Sequence, residues 1–158
     1  MAIFKDLDER THVFGVLTLQ PLILAATATA YVDMTRYNSV QFLLGVGTND
    51  SVGSFAMEQS TALDSNGTEA ALAFHYRKSG SITADTMGAI VYVNSDSSAA
   101  IAASDDDKWF LIEPDQLSDG YRWCRLVVTP SDSNGVDIWA AAICKGARWP
   151  GNVQMSAS

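Results

Sequence analysis

His12 and His75 are the only imidazoles in 158 residues. Neither sits in a cluster with metal-ligand spacing, so no metal site is expected. No serine lies in a nucleophile-elbow pattern. Cys124 falls mid-strand in an apolar row, which reads as a core thiol rather than a nucleophile. No glycine-rich loop follows a strand and opens a helix, so nothing cradles a phosphate and no cofactor is expected. The run SDDDK (104–108) brings together Asp105, Asp106 and Asp107, a possible calcium loop. Consecutive residues point in different directions, however, and no glutamate follows at the required spacing, so a solvated turn is expected. NDS (49–51) and NGT (66–68) match the glycosylation pattern but mean little without a secretory signal. With no acid–base pair to nominate, an enzyme is not expected.

What remains is aromatic. Trp109, Trp123, Trp139 and Trp149 are either a platform for stacking sugars or the filling of a core or subunit interface, the commoner use in β-proteins. The stretch GYRWCRLVVTP (120–130) sharpens the choice. Cys124, Leu126 and Val128 form one apolar face. Trp123, Arg125 and Val127 form the other, which is too bulky and apolar for open water.

The elements around these residues must be strands. Period-two alternation runs through 13–19, 39–47, 53–60, 70–79, 87–94, 99–104, 108–114, 121–129 and 136–145, with short pieces near 22–25 and 30–34. Clusters such as LDSNGTE, NSDSS and PSDSNG separate them and supply turns. No window after the first dozen residues carries a helical apolar face. The expected fold is all-β, an antiparallel β-sandwich of jelly-roll type with an extended N-terminal arm. The expected organisation is an arm over 1–12, a single sandwich domain over 13–148 and a C-terminal tail over 149–158. In the arm, Ile3, Phe4 and Leu7 share one helical turn and suit a hook that docks on a neighbour, although a frayed terminus would look the same.

Composition narrows the partners. The chain carries 10 Lys and Arg against 18 Asp and Glu, a net charge of −8. A sparse, acidic surface argues against direct contact with nucleic acid, which needs clustered cations. The apolar run over 13–30 resembles a signal peptide, but the residues before it are not net positive and Gln20 and Pro21 interrupt it. Neither secretion nor a membrane span is expected. Two cysteines are too few for a disulfide framework. If the last two strands pair as a hairpin, Cys124 falls opposite about Ala140 or Ala142, roughly 7 to 13 Å from Cys144 along the strand. A disulfide reaches only about 7 Å between Cα atoms, so two free, buried thiols are expected, as in a reducing cytosol.

That same hairpin would put Trp139 and Ile143 beside Trp123, Arg125 and Val127. The result would be one apolar outer patch of the kind that marks an interface. A second subunit is the simplest cover for it; the arm folded back as a third layer is the alternative.

YVDMTRYNSVQFLLGVG (31–47), AIVYVNSD (89–96) and the closing pair GYRWCRLVVT…VDIWAAAI together resemble small virion proteins of tailed bacteriophages, several of them capsid decoration, or cement, proteins. The resemblance covers most of 25–146 and carries no catalytic motif. It implies a β-sandwich subunit, often a homotrimer, made in the host cytoplasm. Such a subunit is seated on the phage head, where it binds the major capsid protein and stabilises capsomer contacts. The residues expected at subunit or capsid contacts are Ile3, Phe4 and Leu7 of the arm, Trp123, Arg125, Val127, Trp139 and Ile143 of the closing strands, and Arg148 and Trp149 after them. Neither the arm nor CKGARWPGNVQ is covered by the resemblance. A tail, baseplate or head-fibre subunit, or a carbohydrate-binding module using Trp109 or Trp149, would share the same features.

Overall fold

The computed structural model describes residues 11–23, 25–47, 53–63, 67–81, 84–105, 108–131 and 136–146. Ile3, Phe4, Leu7, Arg148 and Trp149, and with them most of the expected arm and all of the expected tail, lie outside these residues.

Alternating side chains become strands along nearly the whole described chain. In order they are β1 (Thr11–Ile23), β2 (Thr27–Ala28), β3 (Val32–Asp33), β4 (Ser39–Val46), β5 (Gly53–Ser60), β6 (Glu69–Leu72), β7 (Phe74–Ser81), β8 (Ala84–Met87), β9 (Val91–Val93), β10 (Ala99–Ile101), β11 (Trp109–Pro114), β12 (Trp123–Pro130) and β13 (Val136–Lys145). Among the described residues they form two antiparallel sheets. The seven-stranded sheet runs β1-β13-β4-β11-β7-β8, with β9 also on β7. The six-stranded sheet runs β10-β5-β12-β2, with β3 on β12 and β6 on β5. The chain is the all-β sandwich expected from its periodicity. No described helix is long and apolar enough to cross a membrane.

The core lies between the sheets. Phe42, Phe55, Phe74 and Phe110 are fully buried at its centre, and Phe55 meets Phe110 at 5.1 Å and Phe74 at 5.7 Å between ring centroids. Tilted and edge-on contacts of this kind suit the ring quadrupoles. The small residues Ala140 and Ala142 of β13 sit in register with Leu44 and Phe42 of β4, so large and small side chains alternate across the sheet and the layers interdigitate.

Two expectations are corrected. The closing strands are not a hairpin: β12 belongs to the six-stranded sheet and β13 to the seven-stranded one. The reason is that each is a central strand with both hydrogen-bonding edges taken. β12 pairs with β5 on one side and with β2 and β3 on the other, while β13 lies between β1 and β4. The chain therefore changes sheet between Pro130 and Val136 instead of pairing the two strands in one. Likewise the run expected as one strand over 70–79 divides at Ala73, where the chain passes from β6 in one sheet to β7 in the other. The Ala73 carbonyl, released from either ladder, accepts the Asp115 amide at 2.8 Å.

The inward faces of β12 and β13 follow from alternation alone, whichever strands they pair with. Cys124, Leu126, Val128, Val136, Ile138, Ala140, Ala142 and Cys144 all point inward and are buried. Both thiols are free. They face the core from different sheets, so the register argument against a bridge does not describe their actual relation.

Candidate functional site

Because β12 and β13 lie in different sheets, the outward residues of the closing strands do not make one patch. Trp123, Arg125 and Val127 are on the outside of the six-stranded sheet; Trp139 and Ile143 are on the outside of the seven-stranded sheet. All five are half-buried.

Arg125 is the hub of the first face. Antiparallel register sets it opposite Glu58. Its guanidinium reaches the Glu58 carboxylate at 2.7 Å and Glu69 at 2.9 Å, and it stacks over the Tyr31 ring at 4.6 Å. The Tyr31 hydroxyl in turn donates to Glu69 at 2.6 Å. Burial, reinforced by that bond to a carboxylate, pushes the Tyr31 phenol up to about 12. Trp123 is covered by the Arg122 guanidinium, 4.9 Å from its ring. Val127 lies between Ala56 of β5 and Ala28 of β2.

On the second face, Trp139 lies flat across Gly45 of β4. A Cβ at position 45 would overlap its indole nitrogen and adjoining ring carbon, so only glycine admits it. Trp109, next in register across Gly45, meets Trp139 edge to face at 4.8 Å. Ile143 sits between Val13 of β1 and Gln41 of β4. The cover that Trp123, Arg125 and Trp139 were expected to need from a neighbour or the arm thus comes in large part from the chain itself.

The acidic run is not a solvated turn at its first member. Asp105 is 1% exposed in a short 3-10 turn. It accepts Lys78 at 2.8 Å, Lys108 at 3.0 Å and the Ala102 amide at 3.0 Å. Burial alone would raise its pKa, but the bonds from Lys78, Ala102 and Lys108 outweigh it and hold the carboxyl below its ordinary value. Two ammonium groups occupy the place a calcium ion would need. Asp106 and Asp107 lie outside the described residues. Among the described residues no three His, Cys, Asp or Glu side chains converge as metal ligands. His75, one of the two imidazoles, stacks on Tyr92 at 5.0 Å.

A second buried carboxylate, Asp33, organises one end of the sandwich. It accepts Arg122 in a two-pronged pair at 2.9 and 2.6 Å, Arg36 at 3.2 Å, and both the amide and hydroxyl of Thr35. Burial again opposes ionisation, and the Arg122 and Thr35 bonds overcome it and lower the pKa. Beside this cluster is an open cleft of about 440 Å³, walled by Met34, Tyr37 and Asn38 on one side of the sequence and by Glu113, Asp115, Leu117 and Tyr121 on the other.

The most exposed apolar surface is elsewhere, in the run 87–94 that the sequence marks as a strand but not as a contact surface. Met87, Ile90, Val91 and Tyr92 are between 40% and 57% exposed, in a run without a charged residue from Thr86 to Asn94. This run ends β8 and forms β9, both of which pair with β7 at the limit of the seven-stranded sheet. Its signal in the sequence is the absence of any charge from Thr86 to Asn94, which a buried strand would share. Comparison with known proteins finds no matching family model, no matching curated sequence and no matching solved structure.

Proposed function

We propose that the protein is a structural subunit of a tailed-phage virion, a decoration protein that binds itself as a homotrimer and the major capsid protein on the outside of the head. The observation that carries an assembly role is the uncharged, exposed run Met87–Tyr92 at a sheet edge. Such an edge is a hazard for a lone soluble molecule and an asset for one that is covered on assembly. The sandwich supplies rigidity, and the acidic remainder of the surface keeps unassembled subunits apart. Several hundred Å² of apolar contact per subunit, at ~25 cal/mol per Å², is on the order of 10 kcal/mol gross before association costs. Repeated over a lattice, that resists internal pressure.

The test has two parts. The solution mass should be that of a trimer, and Ile90→Lys with Tyr92→Lys should return it to a monomer. Heads lacking the protein should open at a lower temperature than complete heads, and equal stability would refute the head assignment. Labelled protein decorating tails or baseplates would move it to another virion part. A second reading rests on Trp109, which is 40% exposed beside Trp139 and offers a small aromatic platform for a sugar. Binding on a glycan array that Trp109→Ala abolishes would establish it.

A further inference from the structure

Apart from Leu63, every exposed large apolar side chain among the described residues lies in one of two places. One is the edge run from Met87 to Tyr92. The other is the outer face of the seven-stranded sheet, where Val13 of β1 and Trp109 of β11 bracket an apolar band. Alternation builds that band. Ala141, Leu43 and Leu111 are in register on β13, β4 and β11. Each is flanked along its strand by buried residues, so all three point outward, and all are half-buried. Trp139 stays level with them because Gly45 lets its indole lie flat on the sheet. Among the outward residues of β13, β4, β11 and β7, Arg77 and Lys145 balance Glu113 and Asp137. The outer face of the six-stranded sheet is of another kind, occupied by the ion pairs of Arg125 with Glu58 and Glu69.

We infer that the edge run of one copy packs across this band of the next, head to tail. Copies of a chain with net charge −8 repel each other, and contact is least opposed where both surfaces are neutral. A basic partner would be drawn instead to the acidic remainder of the surface. The two surfaces also match in length. The run follows β7 from Ser79, opposite Met87, to His75, opposite Tyr92, which is ~14 Å at ~3.4 Å per residue. The band crosses from β1 to β11, three strand spacings of ~4.8 Å, again ~14 Å. Because β7 separates the band from the chain's own run, another copy must supply it. Run and band belong to the edge and the face of one sheet, so they meet at a corner. Head-to-tail contacts at a corner turn and close into a small ring, whereas contacts on opposite sides would build a filament. The inference rests on the homotrimer proposed above for the size of that ring, and names its two contacting surfaces.

Two variants and their mixture test it by sedimentation. Val13→Lys with Trp109→Lys alters the band at exposed positions, and lysine lowers the net negative charge, so general repulsion cannot explain lost association. Ile90→Lys with Tyr92→Lys alters the run. Each variant alone should be a monomer, associating at least ~100-fold more weakly than the unaltered trimer. Mixed at high concentration, they should form a 1:1 dimer that grows no further, since one intact run meets one intact band. Cooperative unfolding of each variant in urea shows that it is folded, so absence of this dimer would overturn the inference and mean that run meets run or band meets band. A band variant that remains a trimer would also overturn it and leave the homotrimer standing. An unaltered chain that is monomeric would overturn both.

Discussion

Trp123 and Trp139 stand on opposite outer faces of the sandwich, although they lie on the last two strands in sequence. Each is the outward residue beside an inward apolar row, but the rows belong to different sheets. One is capped by Arg122, the other seated on Gly45 beside Trp109. They share no partner, so their substitutions should be independent. Trp123→Ala and Trp139→Ala should each cost ~1–2 kcal/mol for loss of a half-buried ring. The double variant should equal their sum within ~0.5 kcal/mol in urea unfolding. Coupling well beyond that would mean that the two faces communicate.

Gly45 is the more sensitive position on the second face. Gly45→Ala gains a residue better suited to order, yet the added methyl falls inside the Trp139 ring. The indole must lift away from the sheet and lose its contact with Trp109. A loss of ~1–3 kcal/mol is expected, as for other overpacked sites. In a Trp139→Ala background the same substitution should cost little further, because the clash disappears with the ring.

Alternation made the buried set of the closing strands legible from Cys124 to Cys144, because a period of two fixes which side of a strand a residue faces. It did not reveal which sheet a strand joins. The connection after Pro130 suits a hairpin or a crossover equally, and only competition among β1, β4, β5 and β12 for edges decides between them. The break at Ala73 escaped for the same reason, since Leu72 and Phe74 are both buried whether or not the strand changes sheets. Arg125 was legible as a special residue, but its partners Glu58, Glu69 and Tyr31 are far away in the chain. Asp105 looks solvated in the sequence because consecutive carboxylates point in different directions and no glutamate follows at calcium-loop spacing, whereas the Lys78 that neutralises it comes from β7.

Asp105 makes stability sensitive to acid. Its pKa in the folded state lies below the ordinary value of an unfolded aspartate, about 3.9. Its contribution is therefore fully present above that pH and is lost as pH falls through the folded value. Asp105→Asn should cost ~1–3 kcal/mol at pH 7, where the half-exposed Lys78 can rehydrate. The difference between the two proteins should shrink below pH 4, read as melting temperature against pH. Asp33 shifts in the same direction, so the variant should keep part of the acid limb. A difference that stays constant down to pH 2 would show that the ion pairs do not supply it.

The two thiols should be silent in the folded protein. Burial pushes Cys144 up to about 12 and Cys124 higher, the second with a further contribution from Cys144 facing it in the core. A raised thiol pKa keeps the sulfur protonated at pH 8, and the thiolate is the reactive form. Exclusion of the reagent from the core acts in the same direction. Modification by a water-soluble disulfide reagent should be at least ~100-fold slower in native protein than in denaturant, with both residues reacting together once the sandwich opens. If Cys144 alone reacts quickly, the end of β13 opens separately from the rest.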